Sequence, residues 1–210
     1  MRMRPASHRS GLTLLELLGV ILVFFIIWSF VFPASESMIR NGRRRQAAAD
    51  VRTLASAVLA YRQEYGHFPA QGDEWDEDIA YVSEGIGAAS AGGIRTVDAE
   101  RLLQCLSVTN EVDNPRRILF WEEAPARVVD DVQEDPWGDP YVVVVDGNAD
   151  GWIGSGSGQG GGNTISSFQI SDSTASPART HTVPGVREPV YAFSWGGSHT
   201  NAISNLEALR

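Results

Sequence analysis

Apolar residues run without a break near the start of the chain and recur at helical spacing soon after. Leu12 to Phe32 reads LTLLELLGVILVFFIIWSFVF, 21 residues with Glu16 as the one ionisable group. A helix of that length spans ~31 Å, about one bilayer core, so residues 12–32 are predicted to cross a membrane. Beyond them Ala47, Val51, Leu54, Val58, Tyr61 and Tyr65 recur at steps of three and four, which is one apolar stripe on a helix. No Pro lies between Pro33 and Pro69. The two patterns therefore join into a nearly continuous helix from Leu12 to about Tyr65, with residues 33–65 as its amphipathic continuation. Pro33 should kink it or loosen one turn, and Gly42 is a second weak point. Gly66 ends the helix and Pro69 prevents a restart.

After residue 65 the patterns shorten. Thr96 to Val108 predicts a helix, with Thr96 as its cap, Asp98 and Glu100 in its first turn, and Leu102, Leu103 and Leu106 facing inward. Ile118–Trp121, Tyr141–Val145, Ser166–Ile170 and Val190–Trp195 are predicted strands. Gly154 to Gly162 is a Gly/Ser loop, and Asp172 to Glu188 reads as an exposed Ser/Thr/Pro-bearing excursion. The predicted class is α+β: a long N-terminal helix packed on a small antiparallel sheet. Residues 66–210 are enough for one core.

Charge narrows the function. The chain of 210 residues has 17 basic and 26 acidic groups, a formal net charge of -9, and every basic residue is Arg. Without Lys there is no phosphate-loop lysine and no Schiff-base chemistry. The acidity excludes nucleic-acid binding of the usual basic kind. One cysteine, Cys105, permits neither an internal disulfide nor a cysteine zinc site, and its place in an apolar helix face suits a small interior thiol. The first eleven residues hold Arg2, Arg4 and Arg9 and no acid; from Gln46 onward 10 Arg stand against 24 Asp and Glu. A basic head, an apolar stretch and an acidic body form the layout of a membrane-anchored protein whose body is exported. Arg40, Arg43, Arg44 and Arg45 follow the apolar run and favour the opposite topology, so charge alone does not orient the chain.

A carboxylate inside hydrocarbon costs several kcal/mol unless it is paired. No cation lies within the run to pair with Glu16. A cut between Gly11 and Leu12 would create one, because the new α-amine of one subunit can meet Glu16 of its neighbour and set axial register in a dry bundle. Gly11-Leu12-Thr13-Leu14-Leu15-Glu16-Leu17 resembles the leader signal of type IV pilins and type II secretion pseudopilins. Those proteins have Gly before the cut, an apolar first mature residue, Thr second and Glu fifth; Pro33 matches their common Pro at mature position twenty-two. The first mature residue is usually Phe or Met, where this chain has Leu12.

The resemblance extends to the major, G-type pseudopilins. Tyr61 to Pro69 is similar to their helix exit, and Asp135-Pro136-Trp137-Gly138-Asp139-Pro140-Tyr141 is similar to their DPWG-x-PY motif. Physically, two prolines around a glycine make a stiff turn, and Trp137 reads as structural packing. The resemblance implies that residues 1–11 are a cleaved leader, that prepilin peptidase makes the cut, and that the amine of Leu12 is methylated. It implies an assembly role for Thr13, Glu16 and Pro33. It also implies a single-pass inner-membrane protein with a cytoplasmic N-terminus and a periplasmic body over 66–210. Its partners would be itself, other pilin-like subunits and the inner-membrane assembly platform, with protein secretion through a pseudopilus as the implied role.

Asp146, Asn148 and Asp150, with Gly151 after them, supply oxygens at alternating positions as a calcium loop requires. The same residues suit a polar hairpin turn, and the twelfth position is Ser157 where a helix-loop-helix site has a bidentate Glu. G-type pseudopilins commonly bind calcium in a later loop after a Ser-aromatic-Gly segment. This chain has Ser194-Trp195-Gly196 but continues without the acidic loop. No cofactor is certain, and calcium is the one candidate. There is no G-x-S-x-G elbow or H-E-x-x-H, and Glu122-Glu123 and Asp130-Asp131 suit solvated charge, so no catalytic residue is expected. The alternative to a fibre subunit is a monomeric periplasmic enzyme or binding domain on an uncleaved anchor.

Overall fold

A computed structural model describes residues 13–70, 77–89, 94–108, 111–122, 128–129, 132–154, 167–197 and 202–206, the side chains of 30–36, 89, 128 and 129 excepted. The leader, Gly11 and Leu12 lie outside the described residues. Helix α1 runs Leu14–Tyr65 as one element, through Pro33 and Gly42. Among the described residues no helix is long and apolar enough to cross a membrane. Of the span expected over 12–32, Leu12 lies outside the described residues and the described side chains are those of 13–29.

Two compact units divide the chain, residues 1–42 and 43–210. In the first, α1 exposes apolar side chains on all sides, from Leu14 at 82% to Ile21 at 47%.

The second unit is α+β. Its strands are β1 (Asp78–Val82), β2 (Ile86–Ala89), β3 (Ile94–Asp98), β4 (Val128–Val129), β5 (Val132–Gln133), β6 (Val142–Val145), β7 (Phe168–Asp172), β8 (Arg179–Val183), β9 (Val190–Ser194) and β10 (Ile203–Ser204), with helix α2 (Ala99–Leu106) after β3. Strands β10-β9-β6-β1-β3 form one sheet, β2-β7-β8 a second, and β4-β5 a short ribbon. The expectation of one small antiparallel sheet needs correction, because β1 and β3 pair in parallel. A parallel pair needs a crossover. Here the chain makes it by leaving through β2, which pairs with β7 in the second sheet.

Alternation along the central strands explains the layers. Ile79, Tyr81, Val143, Val145, Val190 and Ala192 face Val51, Leu54, Val58 and Tyr61 of α1 and Leu102, Leu103 and Leu106 of α2. Ala80, Val82, Val142, Val144, Tyr191 and Phe193 face Ile86, Phe168, Ile170 and Val183 of the second sheet. The five-stranded sheet is thus covered on both faces, which is why β6 is an unbroken run of valines. Burying each such side chain contributes about 1.5–3 kcal/mol. The stripe expected on α1 faces inward: Ala47, Val51, Leu54, Val58 and Tyr61 are buried and Tyr65 is half-buried. Gly66, at φ 79, closes the helix through its amide to Arg62 O at 2.8 Å.

Three local expectations change. Asp98, not Thr96, caps α2, accepting from the Glu100 amide at 3.0 Å, while Thr96 belongs to β3. Ile118–Trp121 is not a strand. Asn114 donates to Ser107 O and Ile118 O at 2.7 Å each and accepts from the Ile118 amide at 3.1 Å, and the Phe120 amide donates to Leu106 O at 2.9 Å. Side-chain and helix-end partners there replace a neighbouring strand. The 172–188 excursion contains β8, with Arg179 and Val183 buried.

Candidate functional site

Thr13 and Glu16 meet at the first turn of α1. The Thr13 amide and hydroxyl both donate to Glu16 Oε2, at 2.9 Å each, and the Glu16 amide donates to Thr13 Oγ1 at 3.3 Å. This is a capping box: the side chain at the cap and the acid three residues later satisfy amides that have no helical partner. Glu16 has no cation within the apolar run around it, but it does not lack hydrogen bonds. Glu16, Gly19, Val20, Val23, Phe24 and Ile27 line one shallow groove along the helix.

The Asp135–Tyr141 segment is a turn held by its own carboxylate. Asp135 is buried; its Oδ1 accepts from the amides of Trp137 at 2.9 Å and Asp139 at 3.0 Å, and Gly138 takes φ 88. Ser194 Oγ donates to Asp135 Oδ2, which joins the Ser194-Trp195-Gly196 segment to this turn. Burial raises the Asp135 carboxyl, against the hydrogen bonds from Ser194, Asp139 and Trp137. Pro136 and Pro140 flank the turn, and the hydroxyl of Tyr141 donates to Asp50 Oδ2 of α1 at 2.9 Å. A Cβ at Gly197 would collide with the indole of Trp137, so the tail packs directly on the motif.

Arg179, unremarked in the sequence, completes this corner. Its guanidinium donates to Asp172 Oδ2 at 2.8 Å and Asp139 Oδ1 at 2.5 Å, and lies 4.7 Å from the Trp195 ring centroid. A cleft of about 490 Å³ opens beside it, lined by Trp137, Asp139, Asp172, Arg179 and Gly197 among others.

Asp146, Asn148 and Asp150 lie in the turn after β6. Asp146 Oδ1 and Oδ2 accept from the amides of Asp150 at 3.1 Å and Gly151 at 3.0 Å, Asn148 Oδ1 accepts from Asp150 N at 3.0 Å, and Asp150 Oδ1 accepts from Trp152 N at 2.8 Å. Among the described residues no group of three or more His, Cys, Asp or Glu side chains converges to hold a metal. The sequence did not single out Asp78, which opens β1 beside this turn. Burial raises its carboxyl to about 7; Asp146 and Asp150 add to the rise, and the amides of Gly154 and Gly147 oppose it. Burial also raises Asp146. The signal available in the sequence was the last acid of an acidic stretch, standing directly ahead of the apolar run Ile79–Val82.

Cys105 is fully buried, and burial, with Asp113 adding, pushes its thiol up to about 12, so it is no thiolate nucleophile. His67 bonds Phe68 O at the helix exit, whereas His181 lies tilted against the Phe193 ring at 4.2 Å and stacks on Tyr191. Asp130, Asp131 and Ser157 lie outside the described residues. The chain matches no protein-family model, no curated protein and no solved structure.

Proposed function

We propose that the chain is a pilin-like structural subunit, stored in the inner membrane, cut after Gly11 and polymerised through its N-terminal helix into a pseudopilus or pilus. The observation that carries this reading is the joint pattern of Gly11, Leu12, Thr13 and Glu16 ahead of a helix whose apolar side chains are exposed all round. A helix apolar on every face requires lipid or other helices as its surroundings. In this reading residues 12–32 cross the membrane, the N-terminus is cytoplasmic and the body is periplasmic. Prepilin peptidase cuts and methylates at Leu12, and the assembly platform and other pilin-like subunits receive the product. Protein secretion is the favoured role, from the similarity of the Asp135–Tyr141 segment to G-type pseudopilins. Among the described residues Asp135 is held by a turn and a serine, and Cys105 is buried with its thiol pushed up by that burial, both of which suit a structural role.

Processing tests this reading. A side chain at position 11 would stop the backbone from entering a narrow protease site. Gly11→Val should leave a full-length precursor in the membrane fraction. Mass spectrometry that still finds Leu12 at the mature N-terminus of this variant would show that the cleavage site is wrongly assigned.

A further inference from the structure

Asp78 is fully buried, and the assembly proposed above makes no use of it. In the antiparallel register Ile79 faces Val145, which sets Asp78 across from Asp146 at the next step. Asp146 is 3% exposed. Like charges directly opposite on paired strands are destabilising, and buried charges are ordinarily paired or bound to metal. Among the described residues neither carboxylate forms an ion pair; Arg62 is the one cation that lowers Asp146 electrostatically. One oxygen of Asp78 accepts from the Gly154 amide at 2.7 Å, at the far end of the same turn. The other, Oδ1, is buried and receives no hydrogen bond of standard geometry, although the Gly147 amide is near enough to lower the carboxyl. A buried carboxylate oxygen left unsatisfied calls for an explanation, and an unplaced ion is one.

We propose that Asp78, Asp146, Asn148 and Asp150 bind a calcium ion between the start of β1 and the turn after β6. The donor set is oxygen only, with three carboxylates and an amide, which suits a hard cation and excludes thiolate- or imidazole-seeking metals. Asp146, Asn148 and Asp150 each give an oxygen to a turn amide, and a carboxylate or amide oxygen has two lone pairs. The turn amides thereby hold the donors in place without consuming them. Since the carboxylates do not already converge, the ion draws Asp150 toward Asp78, a movement that the flexible coordination of calcium tolerates better than the strict octahedron of magnesium. Gly147 lets the turn lie directly against β1, where a Cβ would strike Glu77 O. The site is independent of the assembly reading, because all four residues belong to the second unit.

The test uses the full-length chain in detergent, melted with calcium and with chelator. At a hundredfold excess over Kd, calcium should raise the melting temperature by about 5–10 °C. Asp78→Asn keeps the shape and removes one charge; it should fold, and should weaken calcium binding at least tenfold. Asp150→Asn should do the same. Terbium, excited through Trp152 beside the turn, should emit in the wild type and be displaced by calcium. Equal melting with calcium and chelator, or no displaceable terbium emission, would overturn the site. So would a full calcium shift persisting in Asp78→Asn, or an equal shift with magnesium.

Discussion

Glu16→Ala is expected to abolish fibre formation and subunit cross-linking while leaving the chain in the membrane and still cut. The run becomes fully apolar, so insertion is unimpaired. In the proposed fibre, what is lost is a charged contact with the Leu12 amine of the next subunit. A hydrogen bond to a charged group contributes about 1.5–3 kcal/mol, or roughly ten- to a hundredfold per contact, and a fibre repeats that loss at every subunit. The capping box adds a control. Glu16 also bonds Thr13 within its own helix, so Ala removes a cap as well as a charge. Gln can fill the same place in the box without the charge. Glu16→Gln should therefore fail in assembly nearly as badly as Ala. If Gln assembled like the wild type, capping would be the role of Glu16 and the intersubunit ion pair would be wrong. The melting temperature of the body in the same preparations should not change.

Arg179→Ala should lower stability by about 3–5 kcal/mol, a fall of about 10 °C or more in melting temperature. The Arg179 side chain is 8% exposed and that of Asp172 is 2% exposed, so removing the cation strands a buried carboxylate. It also frees Asp139 at the Asp135 turn and uncovers the Trp195 ring. Burial works to raise Asp172, but hydrogen bonds from Thr174 and Arg179 outweigh it and hold its carboxyl below the ordinary value. A depressed carboxylate contributes stability that is complete above its unfolded pKa and is lost as pH falls through the folded one. Arg179→Ala should remove part of that acid-side loss, so wild type and variant should converge in stability at low pH. Thermal melts across pH measure this; a fall of under 2 °C at neutral pH would mean that the cluster is not a structural link.

Helical features were the most legible part of the chain, because their signals are local. The stripe from Ala47 to Tyr65 and the stop at Gly66 follow from spacing and one glycine, and the valines of β6 follow from their own run. Features set by long-range partners were not legible. Asp78–Val82 lies behind an acidic stretch and is central only because β3 and β6 flank it. The 172–188 segment has a loop-like composition, yet Asp172 and Arg179 pair inside it. Ile118–Trp121 has strand composition, but the side chain of Asn114 satisfies its backbone. The DPWG segment was recognisable as a turn, whereas its clasp by Ser194, 59 positions away, was not. The resemblance marks Thr13 and Glu16 for assembly, and their three-residue spacing also signals the bond between them.

The central claim is that this chain is processed and assembled as a pilin-like subunit, and the mature N-terminus tests it most directly. Intact-mass and N-terminal analysis of the membrane-held protein should find a chain that begins at Leu12 and carries one added methyl group on its amine. A chain that retains Met1 would contradict processing and favour a monomer on an uncleaved anchor, and a chain that begins near Glu36 would contradict membrane storage itself.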